Sequence, residues 1–244
     1  MKIIKEKIVI IIPTYNEDEN IFKLIKKIKL LNLRLDIIVV DDSPIPLQFS
    51  KKISNIKNIT YIHREKKSGR GSAVIYGLKK ALKKKYDIFV EMDADFSHNP
   101  SELLSKIKYF NINSLDLLIS SRYLKKSKIF NWPLKRKILS RLSNFLARSL
   151  LSIPVTDYTN GYRLYSKRSV NIIVKQCGKI GDGFIILSEI LLRIHLKNYK
   201  IDELKTIFVN RKRGKSSVKL SLIIQSLIGL IKLYIIRLKF KNEN

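Results

Sequence analysis

The chain has 244 residues, 45% of them hydrophobic, and its 49 Lys and Arg against 20 Asp and Glu give a formal net charge of +29. That apolar content excludes a disordered chain and suffices for one large domain or one domain with an appendage. The lone Cys177 excludes an internal disulfide and points to a reducing compartment, while the charge favours phosphates on nucleotides, nucleic acid or anionic lipid.

In the first half, short β-branched runs alternate with segments of helical period, the pattern of parallel strands joined by crossover helices. Residues 8–12 read as a buried first strand closed by Pro13, too short for the core of a secretory signal. Capping residues between Asn16 and Asn20 precede Ile21, Leu24, Ile25 and Ile28 at helical spacing. Residues 36–40 form a second strand running into Asp41 and Asp42, 58–62 a third, 73–82 a helix, and 87–92 a fourth strand ending at Asp93. Lys79, Lys80, Lys83, Lys84 and Lys85 read as a solvated helix face. Asn99 and Pro100 open the next helix, and 115–119 form a fifth strand.

The second half is less regular, with a basic-faced helix over 134–151, a turn-rich segment over 156–161 and a strand over 200–209. At the end, Leu220, Ile223, Ile224, Leu227, Ile228, Ile231, Tyr234, Ile235 and Leu238 make a broad apolar helix face, with Gln225, Lys232 and Lys239 as a narrow polar stripe. Such a helix is too polar to span a bilayer. It either lies in the plane of a membrane interface or packs on the domain or a partner helix.

Ligands of open α/β sheets collect at the carboxyl ends of the strands. There the sequence puts Asp93-Ala94-Asp95, two like charges whose repulsion a divalent oxygen-seeking ion, Mg²⁺ or Mn²⁺, relieves while keeping sites for substrate phosphates. Tyr15 offers a ring on which a base stacks, and Glu17 and Asp42 offer acceptors to base or ribose. Gly69 and Gly71 permit close backbone approach just before a helix N-terminus, which favours anions. His63 and His195 lack ligand-spaced partners, His98 reads as a helix-entry or supporting group, and Cys177, Trp132 and Phe130 read as buried packing.

In sequence, Pro13-Thr14-Tyr15-Asn16-Glu17, Val39-Val40-Asp41-Asp42, the basic glycine loop from Arg64 to Ala73, Met92-Asp93-Ala94-Asp95 with His98 and Pro100, and Ser121-Arg122-Tyr123 resemble the family 2 inverting glycosyltransferases. The closer resemblance is to the dolichyl- or polyprenyl-phosphate mannose synthase branch. It continues through Trp132 to Arg141, Asp157 with Gly161 to Tyr165, Gly183-Phe184 with Glu189, and Arg211 with Gly214 and Ser216.

The resemblance implies a GT-A, Rossmann-like α/β fold with a mostly parallel central sheet over 1–216, and a C-terminal amphipathic helix over 217–244. It implies a nucleotide-sugar donor, GDP-mannose foremost, held by Pro13, Tyr15, Glu17, Val40, Asp42, Asp93, Ala94, Asp95, Arg122, Arg211 and Ser217. Asp93, Asp95 and Ser97 would hold Mg²⁺ or Mn²⁺; Arg122, Arg136 and Ser140 would grip the phosphate of a polyprenyl phosphate acceptor. Asp95, Arg122 and Arg136 are then the groups on which turnover depends. A phosphate acceptor is largely ionised at neutral pH, so it needs alignment more than a general base, and Asp157 is left to bind sugar hydroxyls or orient an arginine. The expected partners are donor, lipid acceptor, a membrane surface on its cytoplasmic face and a small membrane-anchoring subunit, not nucleic acid.

The chain departs from the family pattern at Ser43-Pro44-Ile45-Pro46, Ser120, Leu187 and Ser217, the last standing where a phosphate-binding Lys is usual. Those departures bear on donor identity, leaving UDP-glucose or a hydroxyl acceptor as the alternative. A basic nucleic-acid-binding module is a remoter one, disfavoured by acids clustered at the binding edge, and a scaffold that binds without turnover the remotest.

Overall fold

The structure, a computed structural model, describes residues 5–66, 68–181, 185–210 and 220–242. β1 (Ile8–Thr14) is buried throughout, as an apolar strand is when helices cover both faces of its sheet. After it come α1 (Asp18–Lys29), β2 (Leu35–Asp41), α2 (Ser50–Ser54), β3 (Ile59–His63), α3 (Arg70–Ala81) and β4 (Ile88–Glu91). A 3₁₀ turn, Pro100–Glu102, leads into α4 (Leu103–Ile112) and β5 (Leu117–Ser121). β6 (Lys128–Phe130), α5 (Leu134–Leu151), β7 (Arg163–Ser166), α6 (Lys167–Gln176), α7 (Ile185–His195), β8 (Ile201–Lys205), β9 (Ile207–Val209) and α8 (Leu220–Asn242) follow.

Seven strands form one sheet in the order β3-β2-β1-β4-β7-β5-β8, and β6 pairs with β9 apart from it. All pairings in the large sheet are parallel except those of β7, which runs against both β4 and β5. One face buries α3, α6, α7 and the inner sides of α5 and α8; the other buries α1 and α4. The strand order reverses between β1 and β4, which opens a crevice at their carboxyl ends. Since β7 is reversed, its first residue, Arg163, arrives at that same edge, in register with Glu91 of β4 and Ile119 of β5. The turn-rich loop before β7 is thereby delivered to the crevice.

The expected fold class holds, with local corrections. β1 continues through Pro13, in register with Val40, instead of stopping before it. The β4 ladder ends at Ile11 with Glu91, so Pro13 lies where β1 has one paired side and its missing N–H costs nothing. β4 closes at Glu91, which leaves Asp93 to Asp95 in a turn rather than an extended strand. The strand expected over 200–209 is two, split at Thr206, whose hydroxyl donates to Glu102 Oε2 at 2.6 Å. β7 and the helices α6 and α7 were not anticipated. Phe130, expected to be buried, is 45% exposed; Trp132 is buried as expected.

α8 settles its packing through Leu230 and Leu233 against α5 and α7, with Arg237 Nη1 donating to the Leu150 carbonyl at 2.9 Å. Its other side leaves Ile224, Leu227, Ile228, Ile231, Ile235 and Leu238 exposed. No helix among the described residues is long and apolar enough to cross a membrane.

Candidate active site

At the carboxyl end of β1, Tyr15 is exposed, and the Asn16 N–H donates to Ser43 Oγ at 2.8 Å, tying this loop to the one after β2. Ser43 donates in turn to Asp41 Oδ1, and the Tyr61 hydroxyl holds Asp41 Oδ2 at 2.5 Å. Pro44, Ile45 and Pro46 line a shallow hollow with Asn16, Asp18 and Gln48, so the loop that departs from the family pattern borders the expected nucleoside region. Glu17 accepts from Asn20 Nδ2 at 2.6 Å. Asp42 is not an open acceptor: Arg64 Nε and Nη2 each reach one of its oxygens at 2.6 Å, and the Ser68 N–H adds a bond at 3.2 Å. Val40 turns its side chain into the core beside Gly77, and Pro13 and Ala94 are buried, which limits these three to backbone and shape contacts.

Beyond β4, the carboxylates meet a cation that sequence reasoning did not single out. Arg70, the first residue of α3, donates from Nε and Nη2 to Asp93 Oδ1 at 2.8 and 2.6 Å, and its Nη1 lies 2.7 Å from Oε1 of the fully buried Glu91. The expected repulsion is relieved by a guanidinium. Burial pushes the Asp93 carboxyl up, but Arg70, then His98 and Arg122, outweigh it and hold the group below the usual range. His98 accepts the Asp93 N–H on Nδ1 at 3.1 Å, so its Nε2 carries the proton given to Asn160 Oδ1 at 3.0 Å. It is a supporting group, as expected. Asp95 Oδ1 accepts the Ser97 N–H at 3.0 Å, while Ser97 Oγ is buried without a partner.

A second cluster forms where the loop before β7 meets β5. Asp157 is fully buried and receives Arg122 Nε and Nη2 at 2.7 Å each and the Arg122 N–H at 3.0 Å; Thr159 Oγ1 takes a further bond from Nη2 at 2.6 Å. Burial raises the Asp157 carboxyl, yet Arg122 outweighs it and keeps the group ionised below its ordinary range. Of the two roles open to Asp157, it orients the arginine. The Arg122 guanidinium lies 5.1 Å from the Trp132 ring centroid and 5.4 Å from that of Phe208; Arg136 lies 4.8 Å from the Trp132 ring and donates to Asn210 Oδ1 at 2.8 Å. Two guanidinium groups thus share one indole. The Tyr123 hydroxyl bonds Ser140 Oγ at 2.6 Å, one helical turn after Arg136. Arg122, Arg136 and Ser140 are therefore brought together. Arg211 and Ser217, with Gly183, Phe184, Gly214 and Ser216, lie outside the described residues.

Sequence reasoning missed Arg70, Glu91, Thr159, Glu203 and Asn210. Signals existed for two of them: Arg70 lies between the two glycines of the basic loop, and Glu91 is a carboxylate two residues before Asp93 in an otherwise apolar strand. Glu203 accepts the Thr156 and Asp157 N–H groups at 2.6 and 2.9 Å and so braces the loop that carries Asp157. Cys177 is buried, burial pushes its thiol up, and it takes no part.

Residues 9–173, well over half of the chain, match the model of glycosyl transferase family 2. The chain belongs to that family. Among its curated relatives within reach, the polyprenol monophosphomannose synthase of Mycolicibacterium smegmatis is 31% identical over 217 residues, covering 87% of this chain and 81% of that protein. The undecaprenyl-phosphate mannosyltransferase of Micrococcus luteus is 30% identical over 230 residues, 93% of each. The dolichol-phosphate mannosyltransferase of Pyrococcus furiosus is 36% identical over 221 residues, 87% of this chain but 59% of that longer protein. A solved family-like fold, glucosyl-3-phosphoglycerate synthase from Mycobacterium tuberculosis with Mn²⁺, uridine diphosphate and product, superposes with a TM-score of 0.63 at 18% identity, over 96% of this chain and 80% of that one. At that identity the likeness is one of fold. This family 2 member is a glycosyltransferase whose acidic turn after β4 and arginine cluster occupy one sheet edge.

Proposed function

We propose that this glycosyltransferase moves a hexose, mannose from GDP-mannose foremost, with inversion onto the phosphate of a polyprenyl phosphate. The observation that carries the reading is the convergence of Arg122 and Arg136 on Trp132, with the neighbouring Asp157 already saturated. A hydroxyl acceptor needs a base to remove its proton. Asp157 is a poor one, since its two oxygens already take six hydrogen bonds from Arg122, Thr159 and Asn160 that favour the ionised form. A phosphate monoester has a second pKa of about 6 and brings its own anionic oxygen. The guanidinium groups orient that oxygen and, being fixed by Asp157 and Asn210, need little rearrangement on binding. The names of the three relatives support the same acceptor class and the same sugar.

Asp95 keeps Oδ2 and Asp93 keeps Oδ2 clear of hydrogen bonds among the described residues, and the Ser97 hydroxyl is buried without a partner. No three His, Cys, Asp or Glu side chains of the described residues form a complete metal cage. Two carboxylates that leave the remaining positions to substrate phosphates fit Mg²⁺ or Mn²⁺, and Asp93, Asp95 and Ser97 would hold it. Bound there, a divalent ion offsets the charge of a departing nucleoside diphosphate.

The enzyme works at the cytoplasmic face of a membrane, with or without a small anchoring subunit. Leu134, Ile138, Leu142 and Phe145 form an exposed apolar stripe on α5, the helix that also carries Arg136 and Ser140, and α8 packs beside it with its own exposed face. A lipid head held at Trp132 has apolar surface on which its tail can lie.

Incubating the protein with GDP-mannose, UDP-glucose or another nucleotide sugar, Mg²⁺, and either undecaprenyl phosphate or an oligosaccharide tests the reading. A lipid product heavier by one hexose, lost in Asp95→Ala and with EDTA, is expected. Label in the oligosaccharide alone, or full turnover in EDTA, overturns it.

A further inference from the structure

We propose that Arg70 is a built-in counter-ion that keeps the Asp93-Ala94-Asp95 turn from capturing a divalent cation before the donor diphosphate arrives. The inference rests on the metal reading of that turn and concerns how the site is filled. Three independent features fix the guanidinium on Asp93. Nε and Nη2 converge on the single oxygen Asp93 Oδ1, at 2.8 and 2.6 Å. Behind them Nη1 lies 2.7 Å from Glu91, whose carboxylate is wholly buried and held on its other oxygen by the Tyr165 hydroxyl at 2.6 Å. The arginine is therefore anchored from within the sheet and is not a surface residue resting on a convenient acid.

The third feature is a cleared space. A Cβ on Gly161 would stand 1.9 Å from Arg70 Nη2, so the loop before β7 admits the guanidinium only because it has no side chain there. Gly69, at φ +83°, turns the chain so that α3 begins on Arg70 itself, which adds the positive end of a helix to the same spot. Two separate stretches of sequence, the glycine loop and the β7 approach, are shaped around one cation.

The electrostatic consequence is direct. A divalent ion that approaches Asp93 and Asp95 in the empty enzyme meets the guanidinium on the same carboxylate and is repelled by it. The two negative phosphates of a nucleoside diphosphate offset both cations together, so metal and diphosphate are captured as a pair. Arg70 is thus a positioning residue whose removal tightens metal binding to the free enzyme. A merely structural arginine predicts the reverse, because loss of its support loosens the carboxylates.

The test is Mn²⁺ titration of the full chain, read by electron paramagnetic resonance, with no nucleotide and with GDP or UDP, in wild type, Arg70→Met and Gly161→Ala. Gly161→Ala keeps the arginine but drives its flexible end off Asp93, so it decides the matter if Arg70→Met does not fold. The expected result is weak Mn²⁺ binding to wild type that nucleotide strengthens, at least tenfold tighter Mn²⁺ binding to either variant alone, and a smaller gain from nucleotide in the variants. Variants with wild-type melting curves that bind Mn²⁺ alone no more tightly than wild type overturn the role of Arg70 and leave the metal reading intact. No Mn²⁺ binding in any form, with nucleotide or without, overturns the metal reading and this inference with it.

Discussion

Arg122 and Asp157 are joined by two side-chain hydrogen bonds of 2.7 Å in a fully buried setting, and Glu203 braces the Asp157 backbone from the other side. Removing one partner of a buried pair leaves the other charged and unmatched, at a cost of roughly 3–5 kcal/mol. Asp157→Asn is therefore expected to lower the melting temperature by roughly 6–20 °C, since about 1 kcal/mol shifts Tm by roughly 2–4 °C in a domain of this size. It also frees the guanidinium to wander, and kcat/KM for the lipid acceptor should fall by more than tenfold. Calorimetry and acceptor-dependent kinetics check the two halves separately.

The same pair sets a pH dependence. Asp157 has a folded-state pKa below its unfolded value of about 3.9, so its contribution to stability is complete above that value and is lost as pH falls through the lower folded one. The gap in Tm between wild type and Asp157→Asn should be constant from pH 7 to about 5 and close as pH drops below about 4. A gap that widens on acidification contradicts the assignment.

Trp132 is the ring that Arg122 and Arg136 share. Its indole Nε1 is buried without a hydrogen-bond partner among the described residues, so the N–H is available to a bound ligand. The two guanidinium groups over its ring, those of Arg122 and Arg136, would favour an anionic oxygen as the acceptor for that N–H. Trp132→Phe keeps a ring and deletes the donor; it should raise KM for polyprenyl phosphate several-fold with little change in kcat. Trp132→Ala also removes two cation–π contacts of roughly 0.5–2 kcal/mol each, for a loss of about 10- to 100-fold in kcat/KM.

The exposed side of α8 supplies the membrane test. Ile231 is 55% exposed and Ile235 46%, and burying each in lipid gains up to about 1.5–3 kcal/mol. Replacing both with Lys should abolish sedimentation with phosphatidylglycerol vesicles in high salt. Turnover on a short, water-soluble isoprenoid phosphate should survive, because Leu230 and Leu233 still hold the helix to the body.

Much of this architecture was legible in the sequence. The strands of the first half declared themselves through apolar runs ending in Asp41, Asp42 and Asp93, and α5 occupies the expected residues 134–151. β7 was hidden because four residues, Arg163 to Ser166, are too few for alternation to register, and its reversed direction is set by its neighbours. Arg122, Arg136 and Ser140 were found and do assemble. What pairing they make was not readable: Asp42 goes to Arg64, Asp93 to Arg70 and Asp157 to Arg122, contacts between residues 22 to 35 positions apart that no local pattern encodes. A periodic reading identifies which residues reach the edge; only the folded chain reveals which charges are already matched there.

The reversed strand β7 has an evolutionary corollary. Because the chain reaches the crevice edge through β1, β2 and β4 and leaves it through β7, lengthening or trimming the stretch between α5 and Arg163 reshapes the loop that holds Arg122 without disturbing the register of β1, β2 and β4. That one connection is thus free to change in length while the parallel half of the sheet keeps its frame.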